Sequence, residues 1–219
     1  MADIRSIELI ELGDLQSRLY DWQIDNFGAM DSFNLALGVY EETGELAHAV
    51  LKRSQGIRGY DDLGKAADAI ADALADAAIY ALNLASSRGH NIRSIALREK
   101  PRQGGAEYYL TEITGRAASI VEYRGGGSLI PVFLADLAEY AESENIDFKE
   151  ALFTTAEKVM QRDWNKNKTD GGDGSRPCFD EDRAIVCPQC VNAEHGVRRI
   201  QDVVGDVLGD MREAMKQDG

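Results

Sequence analysis

Apolar residues recur three or four positions apart along most of the chain, which is the spacing of one face of an α-helix. The first such run comprises Leu12, Leu15, Leu19 and Trp22. A second helix is predicted to begin at Asp31 or Ser32, because either side chain can cap its first turn. The apolar stripe of that helix comprises Phe33, Leu37, Tyr40 and Leu51.

Turn-forming residues divide the following segment into further helices. Residues 55–62 are predicted to form a loop. A third helix is predicted from about Leu63 to Ser87, and Gly89 follows its end. Three more helices are expected around residues 111–123, 130–144 and 147–165.

The composition favours helix nearly throughout, since only 4 prolines occur among 219 residues and Ala, Leu, Glu, Asp and Lys dominate. We therefore predict an all-α protein with a helical domain over residues 1–168. A flexible linker is predicted over residues 169–177, and a Cys-rich module over residues 178–219. That module ends in a helix whose apolar positions are Val197, Ile200, Val204, Val207 and Met211.

A faint internal repeat runs through the helical domain. The segment around Gly44 resembles the segment around Gly115, and when Asp76 is set against Asp136, LADAAIYAL lies over LADLAEYAE. Two interpretations follow. Residues 105–166 are a degenerate copy of an active half at residues 12–92, or a single domain carries a helical insertion near residues 98–145.

Acidic residues outnumber basic ones, with 38 Asp and Glu against 24 Lys and Arg, which gives a formal net charge of −14. Such a surface repels phosphate backbones and anionic lipids, so we expect neither nucleic acid nor a membrane as partner. The first residues do not resemble a leader peptide, and the expected location is cytoplasmic. Divalent cations held by carboxylates are the route by which an acidic chain still binds a polyanion.

Acidic side chains share a face on each of two predicted helices. On the second helix they are Glu41, Glu42 and Glu45. On the third helix they are Asp68, Asp72 and Asp76. Like charges at this spacing repel each other, and a bundle that brings both faces together builds a site for Mg²⁺ or Mn²⁺. The alternative is two solvated faces in an acidic protein.

The order of these residues resembles the all-α nucleoside triphosphate pyrophosphohydrolases of the MazG type, common in phages and actinobacteria. The resemblance lies in Glu41-Glu42-x-Gly44-Glu45, followed by Asp72-x-x-x-Asp76 and Tyr80. Flanking segments that agree are Trp22-Gln23-x-x-Asn26-Phe27, Leu51-Lys52, Gln55-Gly56-Ile57-Arg58-Gly59 and Arg162-Asp163-Trp164. The match spans about residues 12–92 and continues at residues 145–166.

The resemblance implies a helical bundle of the MazG or dimeric dUTPase type, with a homo-oligomer among the expected assemblies. It implies hydrolysis of a nucleoside triphosphate to the monophosphate and pyrophosphate, with Glu41 or Glu42 as general base. The implied ligands of the Mg²⁺ or Mn²⁺ ions are Glu42, Glu45, Asp72 and Asp76. The implied substrate-binding residues, each with ordinary packing or surface exposure as the alternative, are Trp22, Asn26, Lys52, Arg58, Lys158 and Arg162.

The chain departs from the family pattern at Ala73, where a glutamate is usual; Asp72 lies on the same helical face and can serve instead. In the second half, Ile113 and Arg116 fall at the positions of Glu42 and Glu45. That half is therefore predicted not to build the same metal site.

The last segment contains a candidate zinc site. Its four residues are Cys178, Cys187, Cys190 and His195. They form the set C-x8-C-x2-C-x4-H, which has the ligand count of a structural Zn²⁺ site, the alternative being free thiols. A second function class follows, a catalytically inactive adaptor that binds a protein partner through this tail and its helix.

Overall fold

The computed structural model describes residues 9–97, 105–123 and 129–168. These ranges are mostly helical, so the predicted all-α class is confirmed for them. In chain order, the elements are β1 (Leu9–Glu11), α1 (Leu15–Phe27), α2 (Ser32–Gln55), α3 (Leu63–Ser87), β2 (Ser94–Ala96), α4 (Gly105–Glu122), α5 (Leu129–Ser143) and α6 (Phe148–Met160). The predicted linker, cysteine cluster and terminal helix lie outside the described residues.

Aspartates begin three of the helices. The side chain of Asp31 accepts a hydrogen bond from a backbone N–H of the first turn of α2, so it is Asp31 and not Ser32 that caps this helix. Asp62 and Asp147 do the same for α3 and α6. Each cap satisfies backbone N–H groups that have no partner within the helix, which fixes where the helix starts.

The chain divides into two compact units, Met1–Gln161 and Arg162–Gly219. In the first unit, α2 packs against α3 and α4 packs against α5, and the two pairs meet where α2 contacts α4 and α3 contacts α5. Helices α1 and α6 flank α3. This arrangement makes α3 the central helix of the unit.

Helix α2 has two apolar faces. The buried face comprises Leu35, Ala36, Val39, Leu46 and Ala49. The stripe singled out in the sequence is the other face, because Phe33, Leu37, Tyr40 and Leu51 are each between 42 and 49 % exposed. Those four residues are therefore not part of the core of this unit.

Two short strands that the helical pattern did not predict lie outside the helices. β1 pairs antiparallel with β2, with Ile10 opposite Ile95. Next to this sheet, the buried side chain of Gln16 donates to the backbone carbonyl of His90 at 2.8 Å and accepts from the backbone N–H of Ile92 at 2.7 Å. The sheet and Gln16 together fasten the segment that follows α3 to the start of α1.

α3 is the one described helix that is long and apolar enough to cross a membrane by length and composition. Of its most apolar window, 67 % is buried inside the protein. Its position at the centre of the unit accounts for that apolar character.

Gly38 lets α2 approach α3 closely. A Cβ at this position would lie 2.3 Å from Cε1 of the Tyr80 ring, so no side chain fits between the two helices here. A Cβ at Gly44, six residues further along the same helix, would meet nothing within 4 Å. The two glycines therefore have different structural roles.

We predict opposite effects of alanine at these two glycines. Gly38→Ala lowers the free energy of unfolding by about 1–3 kcal/mol, because the new methyl group forces Tyr80 or the helix to move. Gly44→Ala raises it by up to about 1 kcal/mol, because alanine is the better helix former. Urea denaturation of both variants and the wild type checks this, and equal effects at the two positions would contradict the close approach.

Candidate functional site

Glu42 lies among four other carboxylates contributed by α2 and α3. Partial burial, together with the charges of Asp76, Glu45, Glu41 and Asp72, raises the pKa of Glu42 to about 8. Burial is the largest cause, and Asp76 across the helix pair is the strongest of the four charges. The structure thus brings the predicted metal ligands from both helices into one electrostatically coupled group.

Asp72 connects this acidic group to a cleft between α3 and α6. The hydroxyl of the buried Thr155 on α6 donates to Asp72 Oδ1 at 3.3 Å. The carboxylate is otherwise exposed, so one of its oxygen atoms is oriented from α6 while the group remains accessible. Asp72 is therefore both a neighbour of Glu42 and part of the cleft wall.

The cleft has a volume of about 690 Å³, which lies in the range of small-molecule sites. Asp68 and Asp72 line it from α3. Glu150 and Lys158 line it from α6, together with Thr155. Lys158, which the resemblance assigns to substrate binding, therefore lies in the same cleft as the predicted metal ligand Asp72.

Lys52 and Arg58 lie toward the end of α2 and in the loop after it. Lys52 is two turns beyond Glu45, a distance of about 10 Å along the helix at 1.5 Å per residue, and on the same face. Its ammonium group donates to the side chain of Gln55 at 3.0 Å. Arg58 is exposed and has a left-handed backbone, with φ at 59°, in a tight loop.

Trp22 and Asn26 lie on successive turns of α1. Asn26 Nδ2 donates to the backbone carbonyl of Trp22 at 2.9 Å, and the Trp22 ring contacts the Phe27 ring edge-on with centroids 5.8 Å apart. Both residues are half-buried. Their predicted contact with substrate stays a prediction, as does that of Arg162, which begins the second unit.

The acidic group has the type of ligand atom that a divalent cation prefers, but its side chains are not arranged to coordinate one. Carboxylate oxygens are the ligands that Mg²⁺ and Mn²⁺ prefer, and mutual repulsion around Glu42 is relieved by a cation. Among the described residues, however, no three His, Cys, Asp or Glu side chains form a preorganised coordinating set. Binding a cation therefore requires side-chain rotation, which the exposed Glu41 and Glu45 permit.

The sequence did not single out Thr155, although it orients Asp72. The contact joins residues 83 positions apart, so no local pattern signals it. The one available hint is that Thr155 precedes Lys158 by three residues, which places both on one face of a helix. The predicted zinc ligands Cys178, Cys187, Cys190 and His195 lie outside the described residues.

Comparisons with known proteins identify no relative: no family model matches the chain, and neither a curated protein nor a solved structure matches it significantly. The resemblance to the MazG type therefore stays a prediction that depends on the quoted residues.

The raised pKa of Glu42 predicts a pH dependence of stability without metal. The folded protein favours the protonated form of Glu42. The stability of the folded state that comes from this preference is complete below pH 4.5, the ordinary pKa of glutamate, and is lost as the pH rises through about 8. Glu42→Gln cannot ionise, so its advantage in unfolding free energy over the wild type should grow from pH 5 to pH 9.

Urea unfolding in EDTA at several pH values measures this difference. The control is Glu122→Gln, which replaces an exposed carboxylate at the end of α4, outside the acidic group around Glu42. A Glu42→Gln advantage that is constant from pH 5 to pH 9 would show that the carboxylates do not act on Glu42.

Proposed function

We propose that this protein is a metal-dependent nucleoside triphosphate pyrophosphohydrolase of the MazG type. The observation that carries the proposal is the group of carboxylates from α2 and α3 around the half-buried Glu42, next to a cleft of nucleotide size that contains Lys158. The substrate class, a ribo- or deoxynucleoside triphosphate, comes from the resemblance.

The proposed metal ligands are Glu42, Glu45, Asp72 and Asp76. Held by these residues, Mg²⁺ or Mn²⁺ would offset the negative charge of the triphosphate and would make an attacking water easier to deprotonate. Thr155 keeps Asp72 oriented by its hydrogen bond, so the ligand side chain from α3 has fewer rotamers to lose when it binds.

The remaining side chains act on water and on the phosphates. Glu41 or Glu42 accepts a proton from the water that attacks the α-phosphorus, and the bond from that phosphorus to the bridging oxygen breaks. The products are the nucleoside monophosphate and pyrophosphate. Lys158 from α6 and Lys52 from α2 bind phosphate oxygens, and Arg58 adds a third cation from the loop.

The helical bundle is proposed to be of the MazG or dimeric dUTPase type, with α4 and α5 in the place of a second helix pair. The adaptor alternative depends on the tail beyond Thr169, and no observation on the described residues favours it. The proposed Zn²⁺ at the cysteine cluster belongs to that tail and is separate from the proposed activity.

We predict that Glu45→Gln and Asp76→Asn each lower kcat/KM by about 100-fold or more, because even partners that only orient a metal ligand cost 10–100-fold. The assay screens canonical and modified nucleoside triphosphates with Mg²⁺ or Mn²⁺ and measures pyrophosphate. Glu122→Gln is the matched control and should retain wild-type rates. Full activity of Glu45→Gln, or no pyrophosphate from any substrate with the wild type, would refute the proposal.

We predict that Lys158→Ala raises KM by about tenfold or more, because a charge-assisted hydrogen bond to phosphate contributes about 1.5–3 kcal/mol. Lys149→Ala on the same helix is the control, since Lys149 lies over the Phe153 ring and does not line the cleft. Steady-state kinetics with the best substrate measures both variants. Equal KM values for the two would place the substrate outside the cleft.

A further inference from the structure

The second helix pair, α4 and α5, has an arginine among its acidic residues. Arg116 Nη2 lies 2.7 Å from Glu112 Oε2, one turn earlier on α4. Its Nε donates to Asp136 Oδ2 on α5. The Asp136 side chain is 0 % exposed, so this carboxylate is removed from water entirely. A buried carboxylate is costly unless a positive charge lies beside it, and Arg116 provides that charge.

The two helix pairs place these residues in the same register. With Gly44 set against Gly115, Arg116 falls at the position of Glu45. A separate alignment, which sets Asp76 on Asp136, matches LADAAIYAL of α3 with LADLAEYAE of α5. The local helix geometry agrees as well. Thr43 donates to the carbonyl four residues before it at 2.8 Å, and its counterpart Thr114 does so at 2.7 Å.

The buried positions agree too. Over the first part of the aligned segment, residues buried in α3 have buried counterparts sixty positions later in α5, whereas the counterparts of Leu82 and Leu84 are not buried. These pairs are Ile70 and Ile130, Leu74 and Leu134, Ala77 and Leu137, and Ala81 and Ala141. The second pair therefore presents its aspartate toward its partner helix in the way the first pair presents Asp76, whatever the origin of the repeat.

We propose that Arg116 occupies in the α4–α5 pair the position that a divalent cation takes in the α2–α3 pair. The comparison with the first pair rests on the proposed function, whereas the ion pair itself does not. The guanidinium stays charged at every relevant pH and bonds two carboxylates at once, so it offsets one of their two negative charges permanently and without metal.

This assignment gives the second pair a defined role. α2 packs on α4 and α3 packs on α5, so the metal-independent pair supports the pair that carries the repelling carboxylates. Arg116 is a positioning residue in this sense, and it closes the second acidic position to divalent cations.

The first test removes the positive charge of Arg116 and then also removes the negative charge of Asp136. Arg116→Met should lower the Tm by about 10 °C, because it removes the guanidinium that pairs with the buried Asp136 carboxylate. Adding Asp136→Asn to Arg116→Met should recover more than half of that loss. A wild-type Tm for Arg116→Met, or a further loss in the double variant, would overturn the proposal.

The second test replaces the internal cation with a metal ligand. Arg116→Glu and the uncharged Arg116→Gln are compared in the full chain, each with Asp76→Asn so that the proposed first metal site does not contribute. Thermal melts are recorded in EDTA and in Mn²⁺. We expect Mn²⁺ to raise the Tm of the Arg116→Glu chain by several degrees more than that of the Arg116→Gln chain.

Equal shifts for these two chains would overturn the proposal. If the Arg116→Glu chain is unfolded in EDTA, recovery of its helical circular dichroism on adding Mn²⁺ supports the proposal, and failure to recover overturns it. A wild type that binds no Mn²⁺, combined with an Arg116→Glu chain that does, would refute the proposed function and leave the role of Arg116 standing.

Discussion

Repulsion between carboxylates on two closely packed helices is the constraint on which the candidate site depends. Gly38 allows α2 to lie directly against the Tyr80 ring, and one turn earlier on α3 that same approach brings Asp76 toward Glu42. The packing that stabilises the helix pair therefore also creates its least favourable electrostatics. Such a conflict between packing and charge is typical of functional sites, where a ligand relieves it.

Helix ends were predictable where local residues determine them. Asp62 caps α3, and the helix ends at Ser87, two residues before Gly89, so both of its predicted bounds agree with the structure. The strands β1 and β2 were not predictable, because each has three residues and their pairing joins segments about 85 positions apart. The stripe through Leu37 on α2 shows a different failure, since a helix with two apolar faces does not reveal from its sequence which face is buried.

The acidic part of the site follows from helical spacing alone, and that is why the sequence reveals it. Residues four apart share a face, so Asp72 and Asp76 had to project together once α3 formed. The cleft needed tertiary information, because α6 approaches α3 from a segment more than seventy residues later. The sequence indicated Lys158 as a substrate-binding residue only through the resemblance, and it did not indicate Thr155. A contact between helices that are distant in sequence leaves no local pattern from which it could be predicted.

An internal cation and an exchangeable one solve the same electrostatic problem with different consequences. A guanidinium bonded to Asp136 and Glu112 fills the space between the carboxylates and leaves no free coordination position. A hydrated divalent ion among carboxylates retains water and accepts phosphate oxygens. The first solution suits full burial, as at Asp136, and the second, which is proposed for the α2–α3 pair, requires the access from solvent that Asp72 has beside the cleft. Under the proposed function, two helix pairs of similar register divide stability and chemistry between them through the residue at one position, Glu45 in one pair and Arg116 in the other.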